Sequence, residues 1–248
     1  MTKIGIIGGS GLDNPDLLKE IEEASVDTPY GHPSSVLKQG RIADRDVVIL
    51  ARHGIGHTIP PSQVNFRANV HALKAIGCTH ILVTSAVGSL RENIKPGDFV
   101  VLDQFIDFSR HRMNTFYESF EPGFPIHVST ADPFDPGLRQ IFVESAEELN
   151  FAFHAKGTVV SIEGPRFSTR AESHMFRAWG ADVINMTIAT EAALAREAEI
   201  PYAAVAMSTD YDCWKEDEEP VEWESVLKVF KDNADRVTQL LVKAVSKV

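Results

Sequence analysis

Two cysteines, Cys78 and Cys213, are all that the 248 residues contain. They lie far apart without a CxxC or histidine-cluster spacing, so neither a disulfide framework nor a zinc site is expected. No apolar run approaches the length of a bilayer span. Met1-Thr2-Lys3-Ile4 opens directly into a strand pattern without the regions of a signal peptide. A cytoplasmic protein with no membrane partner is the expectation. Positive charge is scarce: 24 Lys and Arg face 35 Asp and Glu, for a net charge of −11. That balance disfavours nucleic acid as a partner and still permits a local cationic pocket for a small anion. Nucleotide-cofactor fingerprints are missing as well. After Gly9-Ser10-Gly11 the third glycine of G-x-G-x-x-G is replaced by Asn14, and no Gly-Lys-Ser/Thr follows.

What the chain does have is length for a full core, 44% hydrophobic content, and apolar β-branched runs separated by helical patterns. Those runs are Ile4–Ile7, Val47–Ala51, His80–Thr84, Phe99–Leu102, Thr158–Ile162, Val183–Asn185 and Tyr202–Met207. The rhythm predicts an α/β fold, one domain spanning residues 1–248, with a central mixed, largely parallel β-sheet flanked by helices. Near-continuous apolarity in Val47–Leu50 and Ile81–Val83 marks strands covered on both faces. Gln63–Ile76 reads as a helix ended by Gly77. Trp223, Val226, Leu227, Phe230, Ala234, Val237, Leu240, Leu241 and Ala244 trace one face of a C-terminal helix. Phe105–Asp135, with three prolines, reads as a long loop of the kind that is functional or an interface element.

In parallel α/β sheets ligands bind beyond the carboxyl ends of the strands, and several strand ends here carry polar groups. The last run, Ala203–Met207, leads into Ser208-Thr209-Asp210-Tyr211-Asp212. Two carboxylates spaced i, i+2 suit two atoms of one flat ligand such as a nucleobase; the alternative is that they cap the following turn. Gly8-Gly9-Ser10-Gly11 offers backbone N–H groups and a hydroxyl to an anion. Arg52, His53 and His57 follow the Val47–Ala51 strand, where Arg52 suits a phosphate fork or, alternatively, pairs with a surface carboxylate. Thr84-Ser85-Ala86-Val87-Gly88-Ser89 adds hydroxyls and glycine at a third strand end. Glu163 and Phe167 follow the Thr158–Ile162 strand, the first suited to a sugar hydroxyl or ring edge and the second to stacking on a base or to plain core. Met186 and Thr187 follow the Val183–Asn185 strand, where Met186 suits a sugar face or fills core.

Taken together, Gly8 to Leu12, Leu50 to His57, Thr84 to Ser89, Ile162 to Phe167, Asn185 to Thr187 and Ser208 to Trp214 resemble, in order and over nearly the whole chain, the trimeric purine nucleoside phosphorylase / methylthioadenosine phosphorylase family. Members that take 6-oxopurines carry Asn at the position of Asp210, so Asp-Tyr-Asp places the resemblance on the methylthioadenosine side. The resemblance implies a nucleoside phosphorylase-like fold and phosphorolysis of 5′-methylthioadenosine to adenine and 5-methylthioribose 1-phosphate. It implies no metal or organic cofactor, with inorganic phosphate as co-substrate. By similarity Ser10, Arg52, His53, Ser85 and the Ala86 backbone hold phosphate, Met186 packs against the ribose, Phe167 meets the base, Ser168 and Thr187 line the pocket, and Arg52, His53, Asp210 and Asp212 take part in catalysis. Adenine presents an acceptor at N7 and a donor at its 6-amino group, which a protonated Asp210 and an ionised Asp212 complement. An oxo group facing a carboxylate costs about 1–3 kcal/mol.

For the 5′ group the family uses an apolar slot on its last helix, matched here by Trp223, Val226 and Leu227, and a histidine from a neighbouring subunit, matched by His127. A homotrimer is therefore expected. Trp223 stands where relatives carry a small aliphatic residue, which predicts a narrower slot; the stop at Val248, short of a tail that some relatives place over the 5′ group, predicts a more open one. Two other readings compete: a phosphorylase for adenosine, methylthioinosine, inosine or guanosine, and a catalytically silent nucleoside-binding protein. Asp210 with Asp212 argues against the oxopurines, and the full set Ser10, Arg52, His53 and Ser85 argues against silence.

Overall fold

The computed structural model describes residues 2–8, 18–218 and 222–248. Apolar β1 (Lys3–Gly8) lies between β4 (Arg45–Ala51) and β5 (His80–Ser89), parallel to both. On the outer side of β4, β3 (Leu37–Ile42) and β2 (Lys19–Ala24) add antiparallel strands. The far edge of β5 pairs in parallel with β11 (Tyr202–Asp210), which is followed by β6 (Phe99–Val101) and β8 (Phe153–His154). The tip of β5 turns antiparallel to β10 (Val183–Asn185), continuing through β9 (Thr158–Ile162) to β7 (Gln104–Phe108). Long β5 is thus the branch point of a mixed, largely parallel sheet. Nearly every residue of β11 is buried because both edges are paired and both faces are covered.

One face packs against α1 (Phe66–Ala75) and α4 (Ile188–Glu197) around Val70, Leu73, Ile81, Val83 and Leu194. The other packs against α2 (Pro136–Glu148), α5 (Trp223–Asp232) and α6 (Ala234–Lys247) around Leu82, Phe142, Met207, Leu240 and Leu241. A smaller cluster centred on Phe176 seats α3 (Arg170–Ala178) beside β9 and β10. Among the described residues no helix is long and apolar enough to cross a membrane.

Several local expectations are corrected. The helix predicted from Gln63 begins at Phe66, because Asn65 caps it by accepting from the Ala68 N–H at 3.1 Å. The continuous C-terminal face is two helices, since Asn233 stops α5 by donating from Nδ2 to the Val229 carbonyl at 2.9 Å. The predicted loop from Phe105 starts only after Phe108, because Gln104–Phe108 pairs with β9 as an edge strand. Three further strands went unread: β2, an exposed edge rich in Lys and Glu; β3, joined to β4 by an Ala43-Asp44 turn in which both residues have positive φ; and the two-residue β8, too short to leave a pattern.

Candidate active site

The carboxyl ends of β4, β5, β9, β10 and β11 open into one cleft of about 970 Å³, open solvent included, with α5 as a further wall. Of the residues expected to bind ligand, Arg52, His53, Ser85, Ala86, Phe167, Met186, Thr187, Asp210, Asp212, Trp223, Val226 and Leu227 all line this cleft. Two expectations fall elsewhere. Ser10, with Gly9, Gly11 and Leu12, lies outside the described residues. His127 is exposed, packs edge-on against Phe120 and does not line the cleft of its own chain.

At the end expected to take phosphate, the Arg52 backbone N–H donates to the Gly8 carbonyl at 2.9 Å, which ties the exit of β4 to that of β1. Its side chain is buried and does not reach a surface carboxylate. It forks instead onto fully buried Glu191 of α4, Nε to Oε1 at 2.5 Å and Nη2 to Oε2 at 3.0 Å, while Nη1 donates to the Thr84 carbonyl at 3.2 Å. Burial by itself lowers the Arg52 pKa, but the adjacent carboxylate outweighs it and holds the group above the ordinary arginine value. His53 behaves oppositely: burial and then the positive charge of Arg52 bring it down to about 4. Its Nδ1 sits 2.9 Å from the Ile59 carbonyl, an oxygen that only accepts, so Nδ1 carries the proton and Nε2 is left as an acceptor. Ser85 Oγ receives the Asn185 amide at 3.2 Å, and Asn185 is in turn held by Ser161 at 2.7 Å.

At the end expected to take the base, the pairing of β11 with β5 slips between Ser208 and Asp210, a bulge that re-aims the end of the strand. Gly88 makes room there: a Cβ on it would stand 2.9 Å from Asp210 Oδ1 and 3.3 Å from the Asp212 Cβ. Asp210 Oδ1 accepts the Asp212 N–H at 2.7 Å, so the turn-capping alternative is also true of this residue. Thr209 Oγ1 stands 2.7 Å from Asp210 Oδ2 and 3.2 Å from the Val87 carbonyl. A hydroxyl has one proton, so both contacts are full hydrogen bonds together only when Asp210 carries a proton on Oδ2. Burial pushes the Asp210 carboxyl up to about 6, with the Asp212 charge adding to the shift, and burial raises Asp212 as well. Asp212 itself has φ of 51°, a left-handed conformation that Asp tolerates better than most residues.

Phe167 is 38% exposed and lies at the cleft wall rather than in the core. Trp223 is 43% exposed at the mouth, its ring 5.1 Å from that of His57, which stacks on His53 at 4.4 Å. Glu163, expected to face a sugar or base, is occupied elsewhere: it accepts from the backbone N–H groups of Arg110 and His111 at 2.6 and 3.1 Å and pairs with Arg112. Arg112 also donates to the carbonyls of Met186, Ile162 and Glu163, clamping the exits of β9 and β10. Sequence reasoning missed Arg112, Asn185, Gly88 as a spacer, and Glu191. Only Glu191 left a signal, as a lone carboxylate in the otherwise uncharged stretch Ile188-Ala189-Thr190-Glu191-Ala192-Ala193-Leu194-Ala195. Among the described residues, no group of three or more His, Cys, Asp or Glu is arranged to hold a metal ion.

Residues 3–246 match the sequence profile of the Phosphorylase superfamily. The S-methyl-5′-thioadenosine phosphorylase of Xenopus tropicalis is 54% identical over 249 residues, covering 99% of this chain and 89% of that protein. That of Thermofilum pendens is 50% identical over 248 residues, covering 99% and 92%. Among solved structures, methylthioadenosine phosphorylase from Schistosoma mansoni in complex with adenine superposes with a TM-score of 0.94 at 46% identity, covering 99% of this chain and 91% of that one. A variant of the adenosine/methylthioadenosine phosphorylase from the same organism, in complex with methylthioadenosine, gives 0.92 at 45% identity, with the same coverage.

Proposed function

The chain belongs to the Phosphorylase superfamily, and from that premise we propose that it catalyses phosphorolysis of 5′-methylthioadenosine in purine and methionine salvage. Inorganic phosphate attacks the anomeric carbon, the bond to N9 of the base breaks with its electron pair passing to the purine, and adenine and 5-methylthioribose 1-phosphate leave. The observation that carries the reading is the Asp210–Asp212 pair at the end of β11, in the same cleft as Arg52 and Ser85.

The physical problem is a positively charged ribosyl transition state between a departing anionic base and an arriving phosphate, so fixed charges and dipoles supply most of the catalysis. Arg52 and Ser85 hold phosphate through N–H and O–H donors, joined by Ser10 and the Ala86 backbone. His53, held neutral, accepts a hydrogen bond from a phosphate hydroxyl at Nε2 and keeps its own proton on Nδ1. The phosphate charge beneath the sugar stabilises the developing cation, which ties Arg52 to turnover as well as to affinity. Protonated Asp210 gives its proton to N7 and neutralises the leaving base, while Asp212 accepts from the 6-amino group. Phe167 contacts the base; Met186 and Thr187 line the ribose site. Trp223, Val226 and Leu227 form the apolar wall for the methylthio group. The step involves no net oxidation or reduction and needs no group carrier, so phosphate as co-substrate suffices without a cofactor.

The active assembly in this reading is a homotrimer in which His127 enters a neighbouring cleft. Support comes from its place outside its own cleft, on a stretch with exposed Met113, Phe120, Phe124 and Ile126. A cytoplasmic location belongs to the same reading and accords with two free thiols, Cys78 and Cys213.

The test is release of free base from methylthioadenosine, adenosine, methylthioinosine and inosine, each with and without phosphate. Strict phosphate dependence with the highest kcat/KM for methylthioadenosine is expected. Preference for the inosine compounds would overturn the role given to the Asp pair, and release without phosphate would overturn phosphorolysis.

A further inference from the structure

Behind the phosphate end of the cleft, three buried side chains from three elements form one polar chain. Tyr202, at the start of β11, donates from its hydroxyl to Glu191 Oε2 at 3.0 Å. The two Glu191 oxygens take Nε and Nη2 of Arg52 at 2.5 and 3.0 Å. Arg52 lines the cleft, whereas neither Glu191 nor Tyr202 reaches it. Any influence of these two on bound phosphate therefore passes through the guanidinium.

That group is planar, and a carboxylate lying along its Nε–Nη2 edge fixes the rotation of the plane. The Thr84 carbonyl, accepting from Nη1 at 3.2 Å, pins the other side. Nη1 and Nη2 each retain a second N–H beyond these bonds. We propose that Glu191 and Tyr202 are positioning residues for phosphate: the Glu191 carboxylate, steadied by the Tyr202 hydroxyl, occupies one edge of Arg52 and aims the N–H groups left on Nη1 and Nη2 at the attacking phosphate. The inference rests on the phosphorolysis reading and extends it to residues that touch no substrate. A pair serving stability alone would not need to end on a cleft-lining arginine, since apolar residues of similar volume fill a core equally well.

The experiment compares the wild-type chain with Tyr202→Phe and Glu191→Gln, varying inorganic phosphate at saturating methylthioadenosine and the reverse. Tyr202→Phe removes one hydrogen bond to Glu191 and keeps the ring; the phosphate KM should rise about threefold to tenfold, with the nucleoside KM within about twofold of wild type. Glu191→Gln sets an amide N–H against a guanidinium N–H and should raise the phosphate KM more than tenfold and lower kcat. A phosphate KM unmoved in Tyr202→Phe would overturn the proposal, as would a parallel rise in both KM values, which marks general loosening. Should Glu191→Gln fail to fold, Tyr202→Phe decides alone. Wild-type protein that releases no base on addition of phosphate would withdraw the phosphorolysis reading and this inference with it, whereas wild-type turnover with an unmoved phosphate KM in the variants would withdraw only the inference.

Discussion

At the end of the cleft proposed for phosphate, the charge of Arg52 is met by Glu191 and backed by Tyr202; at the end proposed for the base, Asp210 and Asp212 lie at a buried strand terminus where hydroxyls, a thiol and backbone groups, and no cation among the described residues, are bonded to them. A carboxylate beside a guanidinium keeps both charged and sets their geometry. A carboxylate buried without a cation takes up a proton, which is why Asp210 stands near 6. In the proposed mechanism the first end is prepared for a charge that the substrate brings, and the second supplies a proton that the leaving group needs.

Breaking the ion pair should have the largest effect. Arg52→Ala leaves Glu191 in the core with the Tyr202 hydroxyl but no cation, and a loss of about 3–5 kcal/mol of stability is expected from chemical or thermal unfolding. The same variant should bind phosphate more weakly and turn over more slowly at saturating phosphate; unchanged turnover there would remove the catalytic part of its role. Next in size is Asp210→Asn, which preserves the shape but not the transferable proton. A fall of about 10²–10³ in kcat/KM for methylthioadenosine is expected, with the chain still folded.

The two ends should also titrate in opposite directions. Asp210 has a folded pKa above its unfolded value, so between about pH 4 and 6 the folded state binds more protons and stability falls as pH rises. His53 has a folded pKa of about 4, below the ordinary 6.5, so over a similar window the unfolded state binds more protons and stability rises with pH. The advantage of Asp210→Asn over wild type should therefore grow from pH 4 to pH 7. That of His53→Gln should be greatest at pH 4 and vanish above about 6.5. Each difference amounts to at most about 1–3 kcal/mol, readable from urea midpoints across pH. The smallest effect is expected at the mouth, where Trp223→Ala removes part of an apolar wall: kcat/KM for methylthioadenosine should fall about threefold to tenfold while that for adenosine changes less.

The contrast between the ends also explains what the sequence made legible. Asp210 and Asp212 stand out because they interrupt the end of an apolar run, and Arg52 stands out for the same reason after Val47–Leu50. Their partners are harder to read: Glu191 is 139 positions from Arg52, and pairing over that distance follows only once α4 is folded against the sheet. Gly88 looks like turn chemistry in the sequence, yet its place is set by the approach of Asp210 and Asp212 from the neighbouring strand. The central strands were readable from burial on both faces, whereas β2 was hidden because an exposed edge strand carries Lys and Glu rather than an apolar pattern. The last helix divides at Asn233, whose side chain donates to the Val229 carbonyl and accepts from Arg236, which leaves the apolar face unbroken.

The most direct test is a site-resolved titration of Asp210, following its side-chain carboxyl carbon by NMR in the free protein, with Asp210→Asn to assign the signal. A midpoint near 6 is expected, with the proton retained to higher pH when adenine is bound. A carboxyl that titrates at the ordinary value of about 4 and stays ionised in the adenine complex would contradict the proton-donor role on which the account of the base end rests.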